Sequence, residues 1–291
     1  MAVNNKLQLG VINITVHPHT QDDYIELLQS ASKIGAVKVR GTTYCELRHV
    51  EVDEAEGLVY CEVYKYTDID KDAPWYNTNT LKLATEDEVK MLNIPDDYKP
   101  NAGKFSLYLY PKKHVIFYQS YYRNTEFSSK MAVNFFDNLF GVASITKKFG
   151  VVNVTHVPEK QKVSEFIDYS HKEQLSIILT RPNPDSLADV EKKLLERMNS
   201  RNVAEYKEDY KAIESKEISL DDDLKNTIRI ASKNGYATTK VRLPNGAKKI
   251  LSTRDYPYSY TEYFDPKEIN ETVMFKESVK KLIDKITDWL N

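Results

Sequence analysis

The sequence predicts an α+β protein: a strand-rich antiparallel body, a ferredoxin-like βαβαβ module and a C-terminal helix. Three patterns carry that expectation. Strand-like runs joined by short turns dominate residues 1–150. Strand and helix periods alternate over 151–215. Phe275, Val279, Leu282, Ile286 and Trp289 then recur at three- and four-residue spacing, the stripe of one long helix. Residues 216–291 are expected to supply a basic helix and hairpin, followed by that last helix, packed on the body.

Each element has its own signal. "LGVINITVHPH" alternates, with Ile12, Ile14 and Val16 on one face and Asn13, Thr15 and His17 on the other. That predicts a half-buried strand stopped by Pro18. Thr20 and Asp23 have capping-box spacing, so a helix runs from there toward Gly35. "AVKVRGTTYCELRHVEVDEAEGLVYCEVYKYTDI" predicts two or three strands around an acidic turn at Glu51–Glu56, and "TEDEVKML" a short helix. "KFSLYLYPKKHVIFYQSYY" is a hairpin turning at Pro111–His114. Met131, Phe135, Leu139 and Val142 mark an apolar helix.

From Val151 onward, "VVNVTHV", "LSIILTRP" and "AEYKEDYKAIES" predict strands. "KQKVSEFIDYSHKE" and "DSLADVEKKLLERMNS" predict the helices between them, the second capped by Asp185 or Ser186. Ser219 with Asp222 opens the next helix, and Asn234-Gly235 closes it. Asn245-Gly246 signals a two-residue type I′ hairpin turn. The final helix, about 268–290, docks on the core or on a sister subunit.

Composition bounds the function. The chain has 291 residues, 41% hydrophobic and 29% charged, enough for a core under a well-solvated surface. No apolar run approaches the ~20 residues of a membrane helix. The only cysteines, Cys45 and Cys61, make neither a disulfide framework nor a zinc pattern; both are expected as buried free thiols. These features place the protein in a reducing bacterial or phage cytoplasm, away from membranes and with no cofactor. With 9 glycines and no GxxxxGK, GxSxG or HExxH, the usual nucleotide, hydrolase and zinc-protease motifs are absent.

The net charge is only −2, yet Leu224–Arg254 holds Lys225, Arg229, Lys233, Lys240, Arg242, Lys248, Lys249 and Arg254 with no Asp or Glu. Lys225, Arg229 and Lys233 are spaced by four and share a helix stripe. That placement also complements the helix dipole. In a type I′ hairpin Leu243 faces Lys248, Arg242 faces Lys249 and Val241 faces Ile250. Lys240, Arg242 and Lys249 then share the outward face, and Val241, Ile250 and Thr239 the inward one. Two opposed bases destabilise a sheet unless something offsets them, either an acid from another segment or an external polyanion. Segregated bases on a near-neutral chain are the footprint of a nucleic-acid binder, DNA or RNA. A basic ribbon can enter a major groove, and Tyr236, Tyr256, Tyr258 and Tyr260 can stack on bases.

Catalytic readings are weaker. Asp68, Asp70 and Asp72 lack the Gly and Glu that complete a calcium loop, since Ala73 and Asn79 stand there. His17-Pro18-His19 is a metal candidate without companion cysteines. Glu46, Glu62, Lys65 and Asp68 could serve a metal nuclease, but Glu62 and Lys65 fall on opposite strand faces. Trp75 and Tyr76 offer an aromatic anchor for a protein partner, the scaffold or phage-sensor reading.

Two stretches also resemble an uncharacterised bacterial domain-of-unknown-function family. They are "ITVHPHTQDDYIELLQSA…VKVRGTTYCEL…GLVYCEVYKYTDIDKDAPWYNT" with "YPKKHVIFY", and "NGYATTKVRLPNGAKKILSTRDYPY". The resemblance spans most of the chain. It implies a place beside anti-phage genes and carries over no catalytic residue. More loosely, the layout is similar to that of the RexA and KwaB defence proteins, which implies DNA binding. The resulting expectation is a DNA-binding, homodimeric defence protein that docks phosphates with its basic helix and hairpin.

Overall fold

The structure is a computed structural model and describes residues 5–17, 20–182 and 189–290. In chain order the elements are β1 (Asn5–Thr15), α1 (Gln21–Ala31), β2 (Val37–Arg40), β3 (Thr43–Asp53), β4 (Leu58–Thr67), β5 (Tyr76–Asn77), β6 (Lys82–Leu83), α2 (Glu86–Lys90), β7 (Gly103–Tyr110), β8 (Val115–Tyr122), β9 (Thr125–Glu126), α3 (Ser129–Phe140) and α4 (Ala143–Phe149). They continue with β10 (Asn153–His156), α5 (Lys160–Asp168), β11 (Lys172–Thr180), α6 (Asp189–Ser200), β12 (Glu205–Lys211), α7 (Asp222–Asn234), β13 (Gly235–Arg242), β14 (Lys248–Ser252), β15 (Ser259–Phe264) and α8 (Glu271–Leu290). The caps proposed at Asp185 or Ser186, and Pro18 and His19 of the histidine pair, lie outside the described residues.

The body is one antiparallel sheet in the order β10-β1-β8-β7-β4-β3-β2, with β9 added to β8 and β15 added to β1. Leu7, Leu9 and Val11 face α8, where Phe275, Val279 and Leu282 are buried against Tyr108 and Phe117. Ile12, Ile14 and Val16 join the other core, under α1, α3 and α4. Strand β1 is therefore covered on both faces, and even Asn13 and Thr15 are buried. The half-buried strand expected from its alternation is a central strand instead. The apolar face of α8 is spent on the core, about 1.5–3 kcal/mol per large side chain. A second subunit would have to use another surface.

β10 and β15 occupy one edge of β1 end to end. β10 pairs through Ile12↔His156 to Thr15↔Asn153, and β15 through Asn5↔Phe264 to Gly10↔Ser259. Where they meet, Val157 N–H donates to Val11 C=O (3.0 Å), Tyr258 N–H to Val157 C=O (2.7 Å) and Glu159 N–H to Tyr256 C=O (2.9 Å). Pro158 and Pro257 bridge the same point. The intervening chain leaves and re-enters the body side by side.

That intervening chain builds a second antiparallel sheet in the order β12-β11-β13-β14. Helices α5, α6 and α7 bury Phe166, Met198 and Ile228 against one face of it, on Leu175, Ile177, Ala237 and Val241. β12 and β13 both run antiparallel to β11, so α7 is the crossover of a split β-α-β unit. The ferredoxin-like module expected over 151–215 is not seen as such. Its first strand, β10, pairs with β1 of the body, and its sheet is completed by β13 and β14 from beyond residue 216. The sheets thus divide the chain differently from a split at 150 and 215. Sequence order alone could not show this, because β10 carries the same strand signal whichever sheet receives it.

Smaller differences have local causes. Asp221, not Ser219, caps α7, its carboxylate accepting from Leu224 N–H at 2.8 Å. β15 was hidden in a segment rich in Tyr and Pro, although "SYTEYF" alternates. Gly235 ends α7 and starts β13 at once; a Cβ there would lie 2.1 Å from Ile178 C=O, so only glycine lets the strands approach.

The two thiols are buried in the body. Burial pushes Cys45 up to about 12 and also raises Cys61. Native protein is therefore expected to leave Ellman's reagent unreacted at pH 8, and denatured protein to titrate both thiols. Fast reaction of either in the native state would contradict this packing.

Candidate nucleic-acid interface

Among the described residues the small sheet has a face that no helix covers. Alternation along each strand places its side chains in cross-strand rows, about 7 Å apart along the strands. Arg242 pairs with Lys248 at one end. Next come Lys211, Gln174, Lys240 and Ile250, then Asp209, Ser176, Thr238 and Ser252. Lys207, Ile178 and Tyr236 follow. The Arg254 guanidinium lies 3.5 Å from the centre of the Tyr236 ring, a close cation–π contact. A shallow groove of about 400 Å³ crosses all four strands at the two middle rows.

The hairpin register departs from the type I′ expectation. Leu243 N–H donates to Ala247 C=O and Gly246 N–H to Leu243 C=O, both at 2.8 Å. Pro244, Asn245 and Gly246 make a three-residue loop with Gly246 at φ +81°. A type I′ turn would need positive φ at Asn245 as well, and Asn245 does not adopt it. Pro244 is suited to the start of a type I turn, which shifts the pairing by one residue. The shift moves Ile250 outward, where it is 70% exposed, and buries Leu251 in its place. Lys249 pairs with Val241 and so leaves the face that holds Lys240 and Arg242.

Two bases still oppose each other, now Arg242 and Lys248, and the acid comes from another strand. Glu173 accepts an ion pair from Arg242 through one oxygen and from Lys248 through the other, the latter at 2.8 Å. The hydrogen bond from Lys248, followed by that from Arg242, holds the Glu173 carboxyl below its usual range. Glu173 sits where the β11–β13 register slips between Lys172 and Gln174, and no sequence pattern announces such a bulge.

The eight basic positions separate. Lys240, Arg242, Lys248 and Arg254 share the open face. Lys225 and Arg229 lie on α7, behind the sheet; Lys225 pairs with Asp222 at 3.7 Å and Arg229 donates to Asn226 at 2.8 Å. Lys233 is built into the interior. Its Nζ donates to Leu290 C=O (3.1 Å), lies 5.4 Å from the Trp289 ring centre and reaches Glu191 at 3.9 Å. Burial lowers its pKa. The face also gains Lys207 and Lys211, which alternate in "EYKEDYK" but fall outside the acid-free stretch. Lys207 pairs with Asp209 at 3.1 Å, and the hydrogen bond from Ser176 together with Lys207 lowers the Asp209 pKa. Among the described residues no carboxylate lies within ion-pair distance of Lys211 or Lys240.

The nuclease candidates do not converge. Glu62 is buried and accepts from Tyr64 (2.8 Å), Lys104 (2.9 Å) and Tyr60 (3.0 Å). Burial pushes its pKa up, but the hydrogen bond from Lys104 and those from the two tyrosines outweigh it and hold the carboxyl low. Lys65 donates to Glu126 C=O at 2.6 Å, Glu46 pairs with Arg48 at 3.0 Å and Asp68 with Lys99 at 2.5 Å. Among the described residues no three His, Cys, Asp or Glu side chains gather as they would around a metal ion, and no helix is long and apolar enough to cross a membrane.

These features define a mixed α/β protein whose small antiparallel sheet, inserted at the edge of a larger one, presents an open, partly basic face. The chain belongs to the domain-of-unknown-function family DUF4747, whose family model matches residues 5–282. No curated protein matches it.

Lys233 separates structure from binding. Lys233→Ala removes the buried cation together with its hydrogen bond to Leu290 C=O, and should cost about 1.5–3 kcal/mol in urea unfolding. Nucleic-acid affinity of the folded variant is expected to stay unchanged. A large affinity loss with intact stability would return Lys233 to the interface.

Proposed function

We propose that the protein binds nucleic acid, DNA first, through the open face of its small sheet, and that it acts in bacterial anti-phage defence. The defence setting rests on the resemblance to defence-associated families. The binding rests on one observation: on an uncovered sheet face Lys211 and Lys240 have, among the described residues, no carboxylate within ion-pair distance, and Lys207, Arg242, Lys248 and Arg254 flank them. Phosphates would supply the counter-charge, with most of the affinity driven by counterion release.

The test is fluorescence anisotropy with labelled DNA across a salt series. Lys211→Glu/Lys240→Glu should abolish binding, while Lys225→Glu/Arg229→Glu on the opposite side should leave it nearly intact. Glu173→Gln frees Arg242 and Lys248, so it should tighten binding and steepen the salt slope. Equal losses from both double variants would contradict the assignment of the face.

A second reading has its own observation. Tyr76, Leu81, Leu83, Met91 and Tyr98 are all exposed on the excursion between β4 and β7, where α2 buries nothing. Apolar side chains so concentrated on an acid-rich segment suit a basic protein partner, such as a phage component. Tyr76→Ser/Leu83→Ser/Met91→Ser should leave DNA affinity unchanged and, on this reading, abolish defence in a phage-plating assay. Full protection by the variant would remove the scaffold reading.

A further inference from the structure

Resting on that nucleic-acid reading, we infer that the groove takes a single strand with its bases turned onto the sheet, and that Gln174 reads a base edge. The shape of the face argues for it. Reading a duplex needs a helix or a free ribbon that can enter a groove. Here β13 is bound along β11 as far as Arg242, whose N–H donates to His171 C=O, and only the Leu243–Ala247 loop extends beyond the last strand pair, Arg242↔Lys248. The exposed surface spans four strands, about 14 Å across. It is a platform, and platforms suit unstacked bases.

The chemistry of the middle rows points the same way. Gln174 is exposed and makes no side-chain hydrogen bond among the described residues, although every neighbouring strand offers partners. It stands between Lys211 and Lys240 in its row. Its amide, with one donor edge and one acceptor, thus stands between two cations that pair with no carboxylate among the described residues. Adenine offers the matching pair on N6 and N7, and in a single strand that edge is free. The neighbouring row adds the Thr238 hydroxyl, while Ser176 bonds Asp209 and Ser252 accepts from Arg254 N–H. Ile250, 70% exposed, closes the row beside Lys240 and gives a base an apolar surface to lie on. At the inner end the guanidinium plane on Tyr236 is a ready stacking platform. The two lysines then hold the phosphates on either side of the base that Gln174 reads.

The experiment uses the whole chain and fluorescein-labelled dA, dT and dC homopolymers about 12 nucleotides long, with a duplex of the same length. Single strands are expected to bind at least fivefold tighter than the duplex, roughly one stacked base, and dA tighter than dT. Gln174→Ala should level dA and dT, a change of about fivefold, with the salt slope unchanged. Gln174→Glu should reverse the order toward dC, which donates from N4. Lys240→Ala should weaken all probes alike and reduce the slope by about one. Equal or tighter duplex binding overturns the single-strand inference and leaves the broader reading standing. A uniform loss with Gln174→Ala overturns base reading by that residue. No binding by any probe overturns both the inference and the reading under it.

Discussion

The shared edge of β1 is the constraint on which the rest depends. β10 and β15 lie along it like one strand cut in two. The cut is held by three backbone hydrogen bonds, two of which form the Pro158–Pro257 bridge. Because the chain leaves and returns at one point, a whole sheet can be inserted without breaking the body's ladder. Asn13 then anchors it from β1 itself, donating to Lys233 C=O and to Asn234, each at 3.2 Å. Thr155 of β10 donates to the same carbonyl at 3.1 Å, and Trp289 of α8 donates to Pro158 C=O at 3.0 Å. The small sheet is therefore tied to the body through the C-terminal end of α7. Its helices occupy one face, and the other stays open.

Charge on that open face is graded. At the hairpin end Glu173 satisfies two bases, and farther along the face Asp209 satisfies Lys207. Between them Lys211 and Lys240 are left to solvent. An internal carboxylate lets opposed bases sit in one row without splitting the sheet, and it also lowers the face's affinity for any polyanion. Glu173 thus serves the fold and, under the proposed nucleic-acid reading, opposes binding, so its removal should act in the opposite direction from removal of a lysine.

Much of this was legible in the sequence, and the gaps have physical causes. Alternation and turn residues disclosed β1 to β4, the β7–β8 hairpin and the capping box of α1, because those signals are local. The stripe from Phe275 to Ile286 left core and sister subunit open as docking surfaces, and the structure buries it in the core. Partnership between strands was not legible: nothing in "VVNVTHV" says that it joins β1 and not β11. The basic stretch was found as charge, but its division between helix, interior and open face depends on where α7 packs. The face of Lys249 and Ile250 turned on a single residue, Pro244, which changed the loop length and so reversed one strand of the hairpin. Glu173 and Gln174 were invisible as functional positions, since their roles come from a register slip and from neighbours on other strands.

The central proposal is that the open sheet face meets a polyanion, and lysine footprinting tests it directly. The protein would be acetylated briefly with and without saturating single-stranded DNA, and each lysine's modification read by mass spectrometry. Lys207, Lys211, Lys240 and Lys248 are predicted to lose reactivity together, while Lys225 on α7 and Lys82 and Lys90 on the acidic excursion keep theirs. Protection centred on Lys225, or no protection anywhere, would contradict the account.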